Sequence, residues 1–144
     1  MVESDTVKLL RECDAGAKMG VDSIEDVIDN VESERFRAIL EESKRGHKVI
    51  ECDILSMLDQ VGDDGKSPGA MARGMSHVMT EMKLMMNNKD ATVADLMTDG
   101  CNMGVKSLSK YLNEYKAASE ASKDVAKRLI SLEEKLAKDI RGYL

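Results

Sequence analysis

The sequence predicts an all-α protein. It reads as a four-helix bundle of two antiparallel helical hairpins, with a long crossover carrying an extra helix. Three observations carry this. Apolar residues recur three and four apart over long stretches, the period of a helix with one buried face. Strand formers are scarce: aromatics make up 3% of the chain, there is no Trp, and Pro occurs once, at Pro68. A pattern also occurs twice. Residues 16–24 (GAKMGVDSI) and 100–108 (GCNMGVKSL) both fit G-x-x-M-G-V-x-S-[IL], each near the middle of a helical segment. The repeat implies two similar hairpins packed face to face, in one domain over 1–144.

The elements follow in order, at about 6–30, 32–61, 70–87, 92–117 and 122–143. The first helix can be capped by Asp5 or Thr6 and turns Leu10, Cys13, Ala17, Gly20, Ile24 and Val27 inward. Asn30 is expected to close it in the left-handed conformation. The second begins near Glu32 or Ser33. Its face is Phe36, Leu40, Ser43, His47, Ile50, Ile54, Met57 and Val61. So short a link makes the two antiparallel. The stretch 62–69, GDDGKSPG, is the clearest loop. A methionine-rich helix follows, with Met71, Met75, Met79, Met82, Met85 and Met86. The next long helix points Val93, Leu96, Gly100, Gly104, Leu108, Tyr111 and Tyr115 inward. AASEAS (117–122) breaks it. The last buries Val125, Leu129, Leu132, Leu136 and Ile140, and leaves Glu133, Glu134, Lys135 and Lys138 on the wet side. The crossover is expected to start the second hairpin at the same end as the first.

Composition excludes several functions. The chain has 144 residues, is 42% hydrophobic and 33% charged, and carries a net charge of −6. It has no basic stripe, so no nucleic-acid partner is expected. No apolar run nears the roughly 20 residues of a membrane span. The polar start MVESDTVK points to a cytoplasmic protein. Cys13, Cys52 and Cys101 are odd in number and widely spaced, which suits reduced thiols better than a disulfide frame or a zinc site.

Glycine in mid-helix calls for a reason. Gly16, Gly20, Gly46, Gly100 and Gly104 each cost about 0.8–1 kcal/mol relative to Ala. Glycines four apart share a face on which two backbones can approach closely. The expected compensation is tight packing of the first helix against the third. A central cavity for a ligand is the sharper reading.

Crossover order, internal duplication and local motifs together resemble the ferritin-like superfamily. More narrowly, the chain resembles a family of small, mostly uncharacterised bacterial proteins with this bundle. Asp14-Ala15-Gly16 falls where that family carries an Asp-Gly step. Gly69-Ala70-Met71-Ala72-Arg73-Gly74-Met75 is similar to its Gly-Ala-Leu-His-Arg-Gly-Trp motif, with Ala72 and Met75 in place of the His and Trp. Asp99-Gly100-Cys101 falls where the third helix carries Gly-Glu, which puts Cys101 in the Glu position. The resemblance implies a ferritin-like bundle. The di-iron members of the superfamily use two single carboxylates and two Glu-x-x-His pairs. Here Lys44 precedes His47 by three and Gly74 precedes His77 by three, so no Glu-x-x-His exists. By the repeat register, the single-carboxylate positions hold Ala17 and Cys101. No metal and no cofactor is therefore assigned.

The remaining candidates are mid-bundle residues. His47 and Cys101 point inward, and with Asp14 they are the only positions singled out as ligands or reactive groups. The bland reading of each is a hydrogen-bonded or packed core residue. If His47 and Cys101 met, they could bind a soft metal or form a reactive pair. The methionine stripe suits core packing or a homodimer contact through Met71, Met75, Met79, Met82 and Met86. His77 is expected at the surface. The function expected is a non-enzymatic structural, stress-related or protein-interaction module lacking the di-iron ligand set. The alternative is a metal- or small-ligand-binding protein or enzyme with an atypical site near His47 and Cys101.

Overall fold

A computed structural model describes residues 4–63 and 89–144. Helix α1 spans Asp5–Val27, α2 Glu34–Gln60, α3 Lys89–Glu114 and α4 Glu120–Asp139. Short 3₁₀ turns follow α1 (Ile28–Asn30) and α4 (Arg141–Tyr143). Among the described residues there is no strand. The expected methionine helix at 70–87, the dimer contact assigned to it and His77 lie outside the described residues.

Serine starts three of the four helices. Ser4, Ser33 and Ser119 are extended, and each hydroxyl accepts the amide N–H three residues on, from Val7, Phe36 and Ser122. The expected caps Asp5 and Thr6 are instead used across the bundle. They accept the backbone N–H of Ala117 (3.0 Å) and Ser119 (2.8 Å). Asn30 does not close α1 in the left-handed conformation, because no described non-glycine residue has positive φ. The 3₁₀ turn ends the helix instead. Gly62 does adopt positive φ, +73°. Its N–H bonds the carbonyl of Asp59, and the N–H of Asp63 bonds that of Leu58, a Schellman stop to α2.

These contacts fix the topology. α1 and α2 form one antiparallel hairpin and α3 and α4 the other. Asp90, in the first turn of α3, accepts the N–H of Glu32 (2.7 Å) and Ser33 (3.0 Å) at the top of α2. The link between α3 and α4 meets the start of α1. At the end of α2, Asp63 pairs with Arg11 near the start of α1. The second hairpin therefore starts at the end of the bundle opposite the first, not at the same end. The order is up, down, down, up, and α1 and α3 are antiparallel neighbours. A pseudo-twofold axis perpendicular to the bundle exchanges the hairpins, matching the sequence repeat.

The core has two apolar halves. One joins Leu9, Leu10, Cys13 and Ala17 to Ile50, Ile54, Leu58, Leu108, Val125, Ala126 and Leu129. The other joins Ile24, Val27 and Val31 to Phe36, Leu40, Val93, Ala94, Met97, Cys101, Leu136 and Ile140. Tyr143 stacks on Phe36 at 4.5 Å between ring centroids and closes that end. The expected faces of α1, α2 and α4 are largely the observed ones. Val61 is an exception, at 51% exposed. On α3, Val93, Cys101 and Leu108 are buried as expected, together with Ala94 and Met97, whereas Gly100 is exposed and Leu96 half-buried.

Candidate functional site

Between the apolar halves lies a polar layer. It holds His47 and Ser43 on α2 and Glu133 on α4, all buried. His47 Nε2 lies 2.8 Å from Glu133 Oε1, and Nδ1 lies 2.8 Å from the backbone carbonyl of Ser43, one turn earlier. A carbonyl only accepts, so Nδ1 carries a hydrogen. With Nε2 facing a carboxylate oxygen, the arrangement suits an imidazolium donating at both nitrogens. Burial opposes that charge. The hydrogen bond and charge of Glu133, with the Ser43 carbonyl, outweigh it and raise the His47 pKa above its ordinary 6.5.

Cys101 on α3 borders the layer from the other side, beside Glu133. Burial and the neighbouring Glu133 charge push its thiol strongly upward, against a backbone hydrogen bond from Ala137. It is a protonated thiol, not a nucleophile. Cys13, in the apolar core, is pushed up to about 12, by burial first and then by Glu12 and Asp14. Cys52 is exposed, and all three thiols are free.

The glycines explain how the layer fits. A Cβ on Gly20 would strike the His47 ring, 2.6 Å from Nε2. A Cβ on Gly104 would lie 3.5 Å from Glu133 Cδ. So the second glycine of each repeat faces one member of the pair. This replaces the expected close approach of one helix backbone to the other: the space holds polar side chains from α2 and α4. Gly100 meets nothing within 4 Å and has no part in it.

The pair is also symmetric in position. Ser33 and Ser119, the caps of α2 and α4, are 86 residues apart, and so are His47 and Glu133. Each stands at the same depth in its helix, and they meet across the pseudo-twofold axis. Ala17 and Cys101 are equivalent in the sequence repeat, each three residues before the second glycine of its copy.

Of the residues singled out from sequence, His47 and Cys101 both lie beside Glu133. Asp14 is fully buried on α1, and Lys18 Nζ holds its carboxylate at 2.8 Å, one turn on. Glu133 is not on the wet side as expected; it is 8% exposed. Two signals in the sequence mark it. It lies four after Leu129 and three before Leu136, on the buried stripe, and it is the positional equivalent of His47. The run of charges at 133–135 hid both.

The di-iron ligand set does not fit here. Ala17 offers no donor, Cys101 offers a protonated thiol, and His47 is engaged at both nitrogens. Among the described residues, no group of three or more His, Cys, Asp or Glu side chains is arranged to hold a metal ion. No described helix is long and apolar enough to cross a membrane. A shallow groove of about 400 Å³ between α2 and α4, lined by Asp53, Met57, Asp124 and Arg128 among others, is far more open than a ligand cavity. Compared with known proteins, the chain matches no family model, no curated protein and no solved structure.

Proposed function

We propose that the chain is a ferritin-type bundle working as a structural or protein-interaction module, without the iron chemistry of that architecture. The observation behind this reading is the polar layer. His47 and Glu133 satisfy each other where a di-iron centre would need ligands, and they fill the space that Gly20 and Gly104 leave. Helices in the order up, down, down, up support the ferritin-type reading. Metal analysis tests it. Protein purified without chelators is expected to carry no stoichiometric iron, manganese or copper. One tightly held equivalent per chain would reject the proposal.

One observation favours a second reading: Glu133, hydrogen-bonded to His47, also lies beside Cys101. An atypical site for a soft metal would have to draw those three side chains together around the ion and would release the thiol proton on binding. The same analysis, repeated after incubation with zinc, separates the two readings. Retention of zinc that Cys101→Ser abolishes would favour the second. From the sequence alone we add that copies of the chain pair through Met71, Met75, Met79, Met82 and Met86. A dimer mass in light scattering at micromolar concentration is the expected result, and a monomer mass would contradict it.

A further inference from the structure

We propose that His47 and Glu133 form a proton-dependent latch that joins the two hairpins at their pseudo-twofold axis, in which the partners can exchange places. The inference rests on geometry and not on the functional reading above. The two residues occupy equivalent positions, so an unmodified duplication would set two identical side chains against each other there. Two imidazoliums or two carboxylates in that dry layer would repel. One of each is the arrangement in which full charge is tolerated, and the observed separation is a hydrogen bond of 2.8 Å.

The surroundings are matched as well. Gly20 leaves room for the ring at 47, and Gly104 lies against the side chain at 133 in the same way. The carbonyl of Ser43 receives Nδ1 from one turn back. A histidine at 133 would find the carbonyl of Leu129 at the same spacing. One element is not matched: Cys101 places a thiol beside Glu133, whereas its equivalent, Ala17, has no polar side-chain atom.

Among the described residues, the ionisable group facing the ring is Glu133 on α4, with the Cys101 thiol of α3 beside that carboxylate. α1 presents Gly20 and α2 the Ser43 carbonyl, neither of which titrates. Deprotonation of the ring removes the cation and leaves a buried carboxylate beside a neutral imidazole and a neutral thiol. The folded pKa of His47 lies above the unfolded one. The latch therefore contributes fully below about 6.5 and is lost as pH rises through the folded value.

The test is a charge exchange read by urea unfolding across pH. His47→Glu sets two carboxyls together, and its midpoint is expected to fall as pH rises from the acidic range. Glu133→His sets two imidazoles together, and its midpoint is expected to fall as pH drops below neutral. The double variant H47E/E133H is expected to recover more than half of the loss of either single variant at pH 6, and to reverse the pH dependence of Glu133→His. Recovery should be incomplete, because the exchanged carboxylate at 47 has no thiol beside it. A double variant no better than the worse single one would overturn the proposal. A second measurement on the unaltered core guards against variants that do not fold. In a His77→Gln protein, the His47 Cε1–H resonance is expected to titrate above pH 6.5. A midpoint below 6.5 would also overturn it.

Discussion

A methyl group added at Gly20 would land on the imidazole of His47, whereas one added at Gly100 would meet open space. The two positions therefore have opposite predictions. Gly100→Ala should stabilise by up to about 1 kcal/mol, the helix-propensity difference. Gly20→Ala gains the same propensity but must displace a hydrogen-bonded ring in a packed layer, a cost of about 1–3 kcal/mol for overpacking with the lost pairing added to it. Net loss of stability is expected in urea denaturation; net gain would contradict the assigned packing. Removing one member of the pair should be worse still. His47→Ala leaves the Glu133 carboxylate buried without its cation and should cost about 3–5 kcal/mol, while leucine at both positions should be close to neutral. The thiols give a chemical check. Cys13 and Cys101 are buried with raised pKa values and Cys52 is exposed, so one of three should react promptly with a thiol reagent in the folded protein and all three after unfolding. His47 and Cys101 were visible in the sequence as inward positions. Glu133 was not, because a charge beside other charges reads as solvent-facing unless its register with Leu129 and Leu136 is checked.

At the scale of the element, the serine caps do more than start helices. Ser33 accepts the N–H of Phe36, and its own N–H goes to Asp90 on the other hairpin. Ser33→Ala should therefore cost about 1 kcal/mol as a lost cap. Asp90→Ala should cost a similar amount by freeing two N–H donors, at an exposed site and without touching α2 itself. Both are measurable as shifts in the thermal midpoint; a neutral Asp90→Ala would mean that the two hairpins are not joined there. The spans of the four described helices were legible to within about four residues, since apolar spacing and turn chemistry are local signals. The caps were less so. Asp5 and Thr6 are good capping residues, but Ser4 takes the role and leaves them to bind the α3–α4 link. Asn30 permits a left-handed stop but does not require one, and the 3₁₀ turn serves instead. On α3 the three- and four-residue spacing through Leu96 and Gly100 does not follow the core, because Val93, Met97, Cys101 and Leu108 form the buried stripe.

At the scale of the molecule, two hairpins and their pseudo-twofold relation were legible because the duplication is written in the sequence. The direction of the second hairpin was not. Helix periodicity carries no information about which end of a bundle a helix begins at, and that is set by long-range contacts such as Asp90 with Glu32 and Ser33. Nor could spacing alone tell a filled glycine level from a cavity. That depended on the two long polar side chains that happen to lie at equivalent depths in α2 and α4. The layer they form separates two apolar halves, so it defines both the register of the hairpins and what the centre can bind. A crystal structure with anomalous data collected above the iron, copper and zinc edges tests this most directly. His47 Nε2 is expected within hydrogen-bonding distance of Glu133 Oε1, with no anomalous peak between α1 and α3. An ordered metal ion bonded to His47 or Glu133, or hairpins packed with those two residues apart, would contradict it.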